Sequence, residues 1–78
     1  MLLEHLKQAE RHAAAGERVL KHQLSVIEHL RRDHHSGAVI EEAEKLLRSF
    51  EEVQSMHLAD IDRLRAQLAT PTGKRPLP

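Results

Sequence analysis

Residues 2–34, LLEHLKQAERHAAAGERVLKHQLSVIEHLRRDH, decide the architecture. Within them Leu2, Leu6, Ala9, Ala13, Gly16, Leu20, Gln23, Ile27, Leu30 and His34 recur at alternating steps of four and three residues. Side chains spaced this way share one face of an α-helix, and a sustained alternation is the mark of a helix laid along another helix. No proline interrupts the stretch, and Gly16 is its only glycine. It therefore reads as one helix from Leu2 to His34.

Asp33-His34-His35-Ser36-Gly37 breaks the pattern. Gly37 suits the left-handed conformation that ends a helix, and Ser36 suits the cap of the next one. The turn is expected over residues 35–37. A second helix is expected from Ala38 to Ala69, because Thr70 precedes Pro71 and is disfavoured in helix. The tail, residues 70–78, holds all three prolines and is expected to be extended and mobile. Four pairs, Glu17/Lys21, Glu28/Arg32, Glu41/Lys45 and Glu44/Arg48, carry acid before base at i,i+4. Each such pair adds about 0.2–0.5 kcal/mol to a helix.

A short connection makes the helices antiparallel. With the turn near Ser36, Leu30 falls over Ala43, Ile27 over Leu46 and Leu20 over Val53. Gln23 falls over Phe50, Gly16 over His57 and Ala9 over Leu64. Large residues oppose small ones, as in close-packed interiors. After His57 the apolar load moves to Ile61 and Leu68, which reads as a stutter. The fold class is all-α: an antiparallel two-helix hairpin of coiled-coil type. A second apolar column lies beside the first. It comprises Val19 and Val26, with Leu24 on the other flank, and Ile40, Leu47, Ile61 and Leu68 on the second helix. One hairpin cannot cover both columns. These seven residues are therefore the expected interface of a homodimeric four-helix bundle.

Composition narrows the function. The chain has 78 residues and no cysteine, so neither a disulfide nor a thiolate metal site is available. Twelve basic and twelve acidic side chains give zero formal charge, and Phe50 is the only aromatic residue. Both features argue against a nucleic-acid partner. No run approaches the ~20 apolar residues of a membrane span, and no secretory leader is visible. A cytoplasmic protein is expected.

Seven histidines are many for this length, and only His57 lies on the second helix. Neither Glu-x-x-His nor His-Glu-x-x-His occurs. His5/His12 and His22/His29 are seven residues apart, about 10 Å along a helix, too far for one metal. His12, His57 and Asp60 form the one candidate cluster, in which Asp60 would orient an imidazole. The competing reading makes His57 and Gln23 polar register devices in an apolar seam. No phosphate-binding glycine loop or nucleophile elbow is present. No catalytic residue, cofactor or enzymatic activity is expected.

Ala9-Glu10-Arg11-His12, Gly16-Glu17, Arg32-Asp33-His34, Leu46-Leu47, Phe50-Glu51-Glu52, Gln54, His57, Ala59-Asp60 and Asp62-Arg63-Leu64 form a further pattern. On these residues the chain resembles a group of short, uncharacterised proteobacterial helical-hairpin proteins. The resemblance implies a small bacterial protein and brings no activity or ligand. The expected role is a scaffold or protein-interaction module, with a small metal- or ligand-responsive protein as the alternative.

Overall fold

The computed structural model describes residues 1–69, which form two helices, α1 (Leu2–Arg32) and α2 (Gly37–Ala69). The expected proline-rich tail lies outside the described residues. The helices run antiparallel and pack along their length: Gln23 of α1 reaches Ala43 near the turn, and Gln54 of α2 reaches Ala13 further away. There is no strand among the described residues.

The α1 side of the seam follows the sequence stripe, with Leu6, Ala9, Ala13, Gly16, Leu20, Gln23, Ile27 and Leu30 buried or half-buried. The α2 side differs from expectation. Its seam runs through Ile40, Ala43, Leu47, Phe50, Gln54, His57, Ile61 and Leu64. Leu46 and Val53, expected inside, are 46% and 48% exposed. The observed column steps by three and four without a break, so the expected stutter is absent. The seam admits Gln54 in place of Val53 because the small residues of α1 leave its amide room to reach a backbone carbonyl. Ile61 is 6% exposed inside a single hairpin, and Ile40 and Leu47 are half-buried there. These three expected interface residues therefore line the internal seam. The outward column of α2 lies one position earlier, at Val39, Leu46 and Val53.

The core is thin. Among the described residues Ala13, Ile27, Ile61 and Leu64 are the buried apolar ones, and Gln23 is the buried polar one. No side chain among the described residues is less than 2% exposed.

Local hydrogen bonds set the turn. The His34 N–H donates to the Arg31 carbonyl at 3.2 Å, and the His35 N–H donates to the Leu30 carbonyl at 3.0 Å. This doubled pattern is a Schellman motif, and it requires a left-handed residue just past the helix. His34 takes that role, with φ 58°. Gly37, expected there, is instead the first residue of α2. Ser36 caps α2 as its residue type suggests, its Oγ accepting from the Val39 N–H at 3.3 Å. Across the turn Arg31 and Glu44 form an ion pair. Glu17–Lys21 and Glu28–Arg32 pair as the sequence suggests, at 3.6 and 3.0 Å. Lys45, however, meets Glu42 at 3.9 Å.

A left-handed backbone costs an L-residue about 1–2 kcal/mol, and glycine avoids that cost. His34→Gly should therefore stabilise the hairpin by up to about 1 kcal/mol, raising Tm by about 4–8 °C for a domain of this size. His35→Gly, outside the left-handed position, should not. Thermal melting followed by circular dichroism checks both.

Candidate functional site

The hairpin has two unlike faces. On one, Glu10 and Arg65 pair across the helices at 3.0 Å, and Arg31 and Glu44 pair near the turn. Leu24 and Leu58 stand 54% and 51% exposed on this side, separated by charged residues at the same heptad positions. The opposite face holds Val19 and Val26 on α1. On α2 it holds Val39, Leu46 and Val53, 44–48% exposed. Val19 is 40% exposed and Val26 half-buried. Two heptads earlier than Val19 and Val26, the same α1 column carries His5 and His12, which fixes where apolar surface gives way to imidazole.

Two clefts open on this second face, each of about 340 Å³. One lies over Gly16 and Phe50, between Val19 and Val53. The other lies toward the open end, lined by His5, Gln8, Asp60 and Arg63 among others. His12 and His57 line both clefts. Their ring centroids are 5.7 Å apart with planes inclined by 29°, so the imidazoles stack across the seam.

A short hydrogen-bonded chain holds His57. Its Nδ1–H faces Gln54 Oε1 at 3.3 Å, and Gln54 Nε2 donates to the Ala13 carbonyl at 2.8 Å. Asp60 does not orient either imidazole. Its carboxylate accepts from Arg63 one turn along, at 2.8 Å. His12 and His57 are thus brought together, and Asp60 lines the same cleft with its carboxylate paired to Arg63. Among the described residues no group of three or more His, Asp or Glu side chains is placed to hold a metal ion. His29 contacts the Ser25 carbonyl of its own helix, and His22, His34 and His35 are exposed.

Gln23 and Gln54 act reciprocally. Gln23 Nε2 donates from α1 to the Ala43 carbonyl of α2 at 2.8 Å, while Gln54 donates from α2 to α1. Gly16 makes room for the second bond. A Cβ there would overlap the Gln54 amide oxygen and approach its Cδ to 3.0 Å. Gly16 therefore accommodates Gln54, where the sequence placed it beside His57. The unbroken three-and-four spacing from Ile40 to Leu64 was the signal for Gln54, obscured by the apolar character of Val53.

No family model, curated protein or solved structure matches this chain. The resemblance to short proteobacterial hairpin proteins gains no support from these comparisons.

Gly16→Ala should lower stability by about 1 kcal/mol. Its helix-propensity gain of up to about 1 kcal/mol is outweighed by displacing the Gln54 amide from a part-buried hydrogen bond, a loss of about 1–3 kcal/mol. In a Gln54→Ala background the same change should stabilise. A double-mutant cycle by urea unfolding measures the coupling. Equal effects in the two backgrounds would separate Gly16 from Gln54.

Proposed function

We propose that the chain is a non-enzymatic helical scaffold or protein-interaction module of the cytoplasm, acting as a homodimeric four-helix bundle. The carrying observation is the half-exposed apolar column of Val19, Val39, Leu46 and Val53 on one face of a hairpin with four buried apolar residues among those described. Such a core is small for independent stability, and chains of this size commonly add a partner. Among the described residues no helix is long and apolar enough to cross a membrane. A protein surface suits the exposed column, and the neutral charge balance disfavours nucleic acid.

The alternative is a small metal- or ligand-responsive protein using His12, His57 and Asp60. The stacked His12–His57 pair at a cleft favours it. The Asp60–Arg63 ion pair weighs against a three-residue metal site.

Sedimentation equilibrium of the full chain at tens of micromolar should give twice the mass of one chain. A monomer throughout would remove the dimer from this reading. Zinc titration followed by histidine NMR should shift His12 and His57 no more than exposed His22. Selective, saturable shifts of the first two would favour the alternative.

A further inference from the structure

We propose that the occupant of the Val19/Val53 face is a second copy of this chain, docked face to face with both turns at the same end. The proposal rests on the dimer reading above and specifies its surface and orientation.

The choice of face follows from the contrast between the two sides. The Glu10–Arg65 and Arg31–Glu44 pairs span one side of the seam, and a copy seated there would have to desolvate them. Burying ion pairs gains little against that penalty. The other side offers Val19, Val26, Val39, Leu46 and Val53 as a band broken by no charge. Extended over the His12–His57 layer to Gln67, the face also takes in Asp60 and Arg63, an ion pair within α2 that bridges no seam. It then runs about 42 Å along α2 at 1.5 Å per residue and about 20 Å across two helices. That is on the order of 800 Å², the contribution of each partner to a stable interface.

Charge selects the orientation. Between Leu2 and Arg32, α1 carries six basic and four acidic side chains. Between Gly37 and Ala69, α2 carries four basic and seven acidic ones. A two-fold axis along the helices puts each α1 over the partner's α2. All four neighbouring helix pairs in the bundle are then opposite in sign. Turns at opposite ends would instead set α1 on α1 and α2 on α2, so two of the four neighbouring pairs would repel. Wrong juxtaposition of charge is a strong discriminator between otherwise similar packings.

Shape agrees with the same-end arrangement. Next around α1 from Val19 and His12 is Ala15, and next around α2 from Val53 is Met56, 67% exposed. The cross-seam contacts Gln54–Ala13 and His12–His57 place Ala15 and Met56 within a turn of one level. With both turns at one end, Met56 of each copy reaches the small Ala15 edge of the other. Met is the side chain that best fills such an irregular gap. The His12–His57 stacks of both copies also come to one level, between the apolar band and the open end.

The test is double electron–electron resonance on the full chain carrying one nitroxide at His35→Cys in the turn, the chain having no other cysteine. Same-end docking should give an intermolecular distance below about 25 Å. Opposite-end docking separates the labels by about the length of α1, roughly 46 Å at 1.5 Å per residue, and overturns the orientation while leaving a dimer. The face is tested by Val53→Glu and Leu46→Glu, both at exposed positions that should leave helicity intact by circular dichroism. Each should weaken dimerisation at least tenfold, and Leu58→Glu on the ion-paired face should not. Unchanged dimerisation in the first two, or loss in the third, overturns the assigned face. A monomeric parent chain overturns both this proposal and the dimer reading.

Discussion

Two glutamine amides, Gln23 and Gln54, set the spacing and alignment of the helices, and the other contacts depend on that alignment. Each amide crosses the seam to a backbone carbonyl on the other helix. A side chain of this length reaches a facing backbone only where the helices approach closely, and interhelix distance depends on the side chains at the contact. Ala43 supplies the small surface for Gln23, and Ala13 with Gly16 supplies it for Gln54. Apolar side chains tolerate sliding by a turn, since one aliphatic surface resembles the next. A buried amide does not, because losing its acceptor exposes a desolvation cost of about 1–3 kcal/mol. With two such bonds pointing in opposite directions, a slide in either sense breaks both.

That alignment creates the difference between the faces. It brings Glu10 level with Arg65 and Arg31 level with Glu44, so one side is laced by charge. On the other it brings Val19 level with Val53 and His12 level with His57. The same column of α1 changes from imidazole to isopropyl between His12 and Val19. One surface therefore has a polar, clefted half and an apolar half, and the function proposed here uses their continuity. Among the described residues every fully buried side-chain nitrogen or oxygen has a hydrogen-bond partner. The site thus has no stranded polar group demanding a ligand.

Much of the fold was legible because helical periodicity is a strong signal over thirty residues. The α1 stripe required only that small and large residues keep returning to one side. The α2 stripe was harder, because Leu46 and Leu47 are adjacent and periodicity alone permits either. Hydrophobicity favours Val53 over Gln54, and the decisive fact, the Ala13 carbonyl of α1 left within reach beside Gly16, is tertiary. The turn misled for a related reason: glycine is the better left-handed residue, yet bond geometry placed His34 there. Of the candidate cluster, the approach of His12 and His57 followed from helix pairing. The diversion of Asp60 to Arg63 did not, since a carboxylate can reach several partners and local reach decided.

The turn also dictates an order of assembly. A Schellman closure and a serine cap organise residues 30–39 through bonds spanning no more than five residues. Chain closure is entropically cheapest there and becomes costlier with each contact further from the turn. The Gln23–Ala43 bond joins residues 20 apart in sequence, Gln54–Ala13 residues 41 apart, and Arg65–Glu10 residues 55 apart. The hairpin is thus a zipper with a fixed starting tooth. Contact order favours closure from the turn outward, with the half that holds the His12–His57 stack enclosed last.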